Sequence, residues 1–177
     1  MHISLAALKH LKLDQVWWLV SPQNPLKAAK DIAPLAKRMA TARALASHPA
    51  IVVTDVELHL GETRTARVLD VLQRRYPATA FVWLMGADNL AQVPRWWQWT
   101  RLFHRCRVAV FDRSPYSYAA LAGAAAQRFA RVRTGRPSAI WNRFPPVWTY
   151  VAIRRHPASA TALRKTARSA VSKTRVE

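Results

Sequence analysis

The residues best suited to chemistry lie in three polar stretches, each following an apolar run. Asp88 comes two residues after Gly86 and opens a helical pattern. A carboxylate there can accept hydrogen bonds from ribose hydroxyls at a strand end, or it can cap the helix, since Asp is favoured at that position. Ser159, Ala160 and Thr161 open another helical pattern, with Arg164 one turn further on the same side. Free N–H groups and a positive dipole end suit a phosphate there. The third stretch is Ser21, Pro22, Gln23, Asn24, Pro25, Leu26 and Lys27. Between these lies the run Trp96, Trp97, Gln98, Trp99. Rings spaced so tightly cannot all face the core of one helix, so at least one is exposed, either stacking on a planar ligand or lying at a surface contact.

The elements that must position these groups follow from periodicity. Five short apolar, β-branched or aromatic runs, over 15–20, 50–56, 80–85, 107–111 and 147–153, alternate with helical patterns. Alternation of this kind predicts βαβ units and an α/β fold with a Rossmann-like open parallel sheet. The runs show little polar alternation, as expected of strands covered by helices on both faces. Ligands in such sheets bind beyond the carboxyl ends of the strands, where all three polar stretches fall. The chain opens in a helix with an apolar face of Ile3, Leu5, Ala6, Leu8 and Leu11. Pro34 enters the first turn of a helix running through Leu35, Met39 and Leu45. Thr63 or Thr65 caps the helix carrying Val68, Leu69 and Leu72, which Pro77 closes, and Ser159 caps the last helix. Residues 1–168 read as one domain, and 169–177 as a basic tail.

The 177 residues, 51% of them hydrophobic, suffice for one core. No apolar run approaches the ~20 residues of a membrane helix, and the start lacks the pattern of a signal peptide, so the expected location is the cytoplasm. Cys106, the lone cysteine, starts a strand and reads as a small buried hydrophobe. His2, His10, His48, His59, His104 and His156 show no short metal-ligand spacing and read as surface or capping groups. The formal charge is +19, and from Arg113 to Arg175 there are 13 Lys or Arg with no Asp or Glu. Such a field attracts phosphate-bearing partners. Arg outnumbers Lys 21 to 7, so codon bias is a competing origin of the charge.

Taken together, the segments at 21–27, 38–39, 61–69, 83–97, 110–116 and 159–164 resemble, in order and spacing, the bacterial nicotinate-nucleotide adenylyltransferases. The most specific pieces are Trp-Leu-Met-Gly-Ala-Asp-Asn-Leu over 83–90, followed by Pro94, Arg95 and Trp96, and Ser-Ala-Thr-Ala-Leu-Arg over 159–164. The resemblance implies adenylyl transfer from ATP to nicotinate mononucleotide, with Mg²⁺, giving deamido-NAD and pyrophosphate. It implies an ATP site of Gly86, Asp88, Ser159, Thr161 and Arg164. It implies an acceptor site of Lys27, which meets phosphate, Thr65, whose helix approaches the nicotinate carboxylate, Trp96, which stacks on nicotinate, and Arg113. No resident metal site is expected.

Departures from the family pattern are equally specific. Arg113 is followed by Ser114, Pro115 and Tyr116 where the family has Pro-Gly-Tyr, and Arg64 replaces the aromatic residue often found before Thr65. The family's sheet order is 3-2-1-4-5, and its first strand runs into Gly-Gly-Ser-Phe-x-Pro-x-His-x-Gly-His. In register, that strand and both histidines fall before Met1, and His2 matches a later helix residue. The expectation is therefore a sheet without its central strand, catalytic histidines unassigned in this chain, and impaired activity. The remaining alternatives are a nucleotide-binding relative without activity and a basic nucleic-acid binder. The latter lacks a helix-turn-helix, zinc or RNA-binding signature and is not favoured.

Overall fold

The computed structural model describes residues 1–22, 33–113 and 117–153. Six parallel strands are present among them: β1 Val16–Leu19, β2 Ile51–Thr54, β3 Val82–Gly86, β4 Arg107–Phe111, β5 Arg133–Thr134 and β6 Trp148–Val151. Five match the apolar runs of the sequence. The sixth, β5, has only two residues and no run to betray it. One expected boundary is corrected: the second strand stops at Thr54. There the Thr54 Oγ1 accepts the Val56 N–H at 3.2 Å, and the chain turns into helix α3, Val56–Leu60. Gly61 ends α3 at φ 60°, a left-handed conformation that glycine adopts without steric cost.

The strands form two sheets, β1-β2 and β3-β4-β6-β5, every pairing parallel. Both pairings, β1 with β2 and β3 with β4, are neighbours that the family order implies. Between the sheets, Trp17 of β1 meets Tyr76 and Phe81 edge-on, with ring centroids 5.6 and 6.1 Å apart.

Strand β4 shows how the layers arise. Val108, Ala109, Val110 and Phe111 are all fully buried, and alternate side chains enter two different cores. Val108 and Val110 join Leu69, Leu90, Phe103, Phe129 and Trp148. Ala109 and Phe111 join Ala7, Leu11, Val16, Ile51 and Ile140. A strand whose two faces are both covered has no polar face to display, which is why its sequence does not alternate.

One core lies under α1, His2–Leu11, and the other under α4, Thr65–Arg75, α5, Ala87–Gln92, α6, Trp99–Arg105, α7, Ser117–Leu121, and α8, Ala124–Arg128. Helix α2 spans Leu35–Leu45, with Pro34 one place earlier than expected, at the cap. The buried stripe of α1 is also corrected. It consists of Ser4, Ala7 and Leu11, while Leu5 is exposed, because Ser4 Oγ accepts the indole N–H of Trp18 at 2.8 Å and turns that face inward.

Cap expectations for α4 are overturned. Arg64 holds the cap position and makes no side-chain cap bond. Glu62 Oε1 instead accepts the Thr63 and Arg64 N–H groups at 3.0 and 2.9 Å. These bonds, before burial or neighbouring arginines, hold the Glu62 carboxyl below its ordinary range. A carboxylate reaches two donors at once, so neither threonine hydroxyl is needed.

Candidate active site at the strand ends

The β3–β4 register sets the first group of site residues. Gly86, the last residue of β3, is level with Phe111, the last of β4. Asp88 and Arg113 each lie two residues beyond that pair and meet there, Arg113 Nη1 to Asp88 Oδ2 at 2.9 Å. Asp88 does not cap its helix: Gly86 is the cap residue, and no side-chain cap bond forms. Its second oxygen, Oδ1, is buried and has no hydrogen-bond partner. Buried carboxylate oxygens are ordinarily satisfied, so an orphan at a strand end marks a place for a donor. Gly86 is tightly enclosed. A Cβ there would collide with Asp88 Oδ1 and approach Arg113 Cδ to 3.3 Å.

Beside this pair, Asp112 accepts hydrogen bonds from Ser117 Oγ and, at 3.1 Å, from the Tyr150 hydroxyl. Burial raises the Tyr150 phenol above its ordinary range, so it remains a donor. Sequence reasoning missed this trio. Asp112 was visible as the residue after an apolar strand, but its partners lie on α7 and β6.

The tryptophan run does not lie in one helix. Val93–Arg95 forms a 3₁₀ turn and α6 starts at Trp99. Gln98 between them is left-handed at φ 46°, a sparsely used conformation for a residue with a side chain. The bend separates the rings. Trp96 is half-buried against the core, and Trp99 packs edge-on against Phe103 and Phe129. Trp97 is the exposed one, with the Arg64 and Arg67 guanidinium carbons 5.2 and 4.8 Å from its ring centroid. Thr65 begins α4 next to Arg64. Helix α4 is fixed to α6 by Asp70, whose carboxylate meets Arg101 at 2.7 Å and Arg105 at 3.5 Å, and by Gln73 Nε2 donating to Arg105 O at 2.6 Å.

A second cluster, also missed, sits at the ends of β1 and β2. Arg38 donates from Nη1 to Ser21 O at 2.6 Å, from Nη2 to Pro22 O at 2.9 Å and from Nε to Ala33 O at 2.9 Å. Glu57 is 6% exposed, and its Oε2 has no hydrogen-bond partner. Burial raises its carboxyl above the ordinary 4.5, against a smaller opposing effect of its hydrogen bond with Ser21. Lys27, Ser159, Thr161, Arg164 and His156, the Ser114 to Tyr116 departure, the last helix and the tail lie outside the described residues.

Other titratable groups fall into ordinary roles. Cys106 is buried, donates to Phe81 O at 3.3 Å and has its thiol pushed up to about 12 by burial, which makes it no nucleophile. His48 Nδ1 accepts the Ala50 N–H, His59 meets Asp55, and His104 lies edge-on to Phe129. Among the described residues no helix is long and apolar enough to cross a membrane.

An open parallel α/β sheet with an acid, a close-approach glycine and cations at its strand ends is an architecture for phosphorylated ligands. Residues 1–166 match the cytidylyltransferase-like family model. Curated relatives named as probable nicotinate-nucleotide adenylyltransferases include one from Cereibacter sphaeroides, 47% identical over 94% of this chain and 89% of that protein. Another, from Methylorubrum extorquens, is 45% identical over 93% of this chain and 90% of its own length. The chain belongs to the cytidylyltransferase-like family, within its nicotinate-nucleotide adenylyltransferase group. Among solved structures, the Plasmodium falciparum nicotinic acid mononucleotide adenylyltransferase shares the fold. Its complex with APC superposes at a TM-score of 0.63 and 13% identity, over 92% of this chain and 73% of that one. Its complex with NaAD gives 0.63 and 15%, over 93% and 73%.

Proposed function

We propose that this chain transfers the adenylyl group of ATP to nicotinate mononucleotide. A phosphate oxygen of the mononucleotide attacks the α-phosphorus of ATP, the bond from that phosphorus to the bridging oxygen breaks, and pyrophosphate leaves with the electron pair. The products are deamido-NAD and pyrophosphate. No covalent enzyme intermediate is needed, so the protein's work is alignment of two anions and stabilisation of charge on the leaving group.

The observation that carries this reading is the orphaned, buried Oδ1 of Asp88 beside Gly86, in a chain whose curated relatives bear the name of this activity. An adenosine ribose hydroxyl would donate to Oδ1 while Arg113 holds Oδ2, and Gly86 leaves room for the nucleotide against the backbone. Trp96 supplies a ring for the nicotinate base, and the start of α4 at Thr65 supplies N–H groups for its carboxylate. Arg113, beyond holding Asp88, adds positive charge between the two nucleotides. Lys27, Ser159, Thr161 and Arg164 take the phosphates in this reading. Among the described residues no cluster of three or more His, Cys, Asp or Glu is placed to hold a metal ion, so the protein offers no cage for Mg²⁺. The cation would arrive with the triphosphate, whose charge it neutralises.

Pyrophosphate release from ATP should require nicotinate mononucleotide, and deamido-NAD should accumulate one for one with it. Release of phosphate without the acceptor, or absence of both turnover and nucleotide binding, would remove the proposal.

A further inference from the structure

Arg64 and Arg67 bring two like charges onto one exposed ring. Their guanidinium carbons lie 5.2 and 4.8 Å from the Trp97 centroid, and Trp97 is 40% exposed. The nearby carboxylates are already committed. Glu62 reaches Arg67 at 3.5 Å but spends its other oxygen on the Thr63 and Arg64 N–H groups, and Asp70 is shared by Arg101 and Arg105. Among the described residues, Arg64 has no carboxylate partner of its own. A guanidinium lying over an aromatic face still has donors at its edge, arranged to bind a carboxylate in a bidentate fork. Arg64 also precedes the first turn of α4, where no side chain caps the helix. This adds a favourable field for an anion, though the two arginines on the indole carry the argument.

We propose that Arg64 is a specificity-determining residue that reads the negative charge on the pyridine ring of the acceptor, with Trp97 as its platform and Arg67 beside it. The inference rests on the function proposed above and names the feature of the acceptor that this chain selects. An acid acceptor gains a charge-assisted pair, whereas its amide counterpart meets an uncompensated guanidinium and gains none. The substitution of Arg for an aromatic residue at position 64 thereby becomes a specificity device in place of a surface accident.

The test compares nicotinate mononucleotide with nicotinamide mononucleotide, using kcat/KM and tryptophan-fluorescence titration for the unaltered chain, Arg64→Gln and Arg64→Lys. The unaltered chain should prefer the acid. Arg64→Gln should cut that preference about tenfold, through a higher KM and Kd for the acid with kcat and the amide constants little changed. Arg64→Lys should restore part of it, because charge survives without the fork. An unchanged acid-to-amide ratio in Arg64→Gln, or equal losses for both acceptors, overturns the inference while leaving the proposed function intact. An unaltered chain that neither binds nor turns over either nucleotide overturns the proposed function itself.

Discussion

Two mouths of the sheet each bury a carboxylate with one unpartnered oxygen, and they treat it in opposite ways. At the ends of β3 and β4, Asp88 has a guanidinium at 2.9 Å and a glycine that leaves its other oxygen accessible to a ligand from the strand end. At the ends of β1 and β2, Glu57 has only a hydroxyl partner, and burial favours its protonated form. A charge paired with arginine can keep its negative sign for a ligand's donors, whereas a carboxyl buried with a serine is more comfortable neutral. The first mouth is built to bind. The second is built to hold the chain near Ser21, where Arg38 also ties Ser21, Pro22 and Ala33 to α2.

The largest effect that would break this contrast is expected at Asp88. Asp88→Ala should lower kcat/KM for ATP roughly ten- to a hundredfold, the range for losing a hydrogen bond to a charged group and leaving Arg113 unpaired. Trp96→Phe, which keeps an aromatic ring against the core, should act mainly on nicotinate mononucleotide. Steady-state kinetics with each substrate varied checks both, and equal effects on the two substrates would dissolve the division of the site.

A smaller effect is expected at Gly86. Gly86→Ala places a Cβ against Asp88 Oδ1 and must push the acid or Arg113 aside. The cost should be about 1–3 kcal/mol of stability, as for other forced insertions into packed sites, together with weaker ATP binding. Urea denaturation and nucleotide titration measure the two separately. Unchanged ATP affinity would show that the enclosure around Oδ1 is not a ligand site.

The smallest effect, and the one that sharpens the comparison, concerns pH. Glu57 has a folded-state pKa raised above 4.5, so the folded protein binds its proton more tightly than the unfolded chain does. Its contribution to stability is complete below about 4.5 and is lost as pH rises through the folded-state value. Glu57→Gln should flatten that part of the stability profile and leave ATP kinetics nearly unchanged. Thermal unfolding between pH 4 and 8, on the order of the window where a raised carboxyl titrates, reads the slope. An unaltered slope would mean that Glu57 is ionised in the fold and that the two mouths are more alike than described.

Much of this was legible in the chain itself. The runs that became β1, β2, β3, β4 and β6 are rich in Val, Ile, Trp and Phe, and the polar break after Met85 placed Gly86 and Asp88 at a strand end without any contact information. Local rules failed where a distant partner outcompeted a local one. Asp88 had two readings, cap or ligand acceptor, and Arg113, 25 residues away on the next strand, took it out of the cap role. Thr63 and Thr65 were displaced as caps by Glu62, whose longer carboxylate reaches both donors. The tryptophan run was rightly expected to expose a ring, but which ring depended on the left-handed backbone at Gln98.

The sequence by itself determined the alternation of strands and helices, the burial of Cys106 and the positions of the polar breaks. These depend on hydrophobic periodicity and turn chemistry within a few residues. Only the tertiary structure decided that Asp88 meets Arg113, that Asp112 gathers Ser117 and Tyr150, and that Arg64 and Arg67 share Trp97. Each of those contacts joins different elements. They form because parallel register brings β3 and β4 to end level, and because Asp70 and Gln73 fix α4 against α6, neither of which a local pattern encodes.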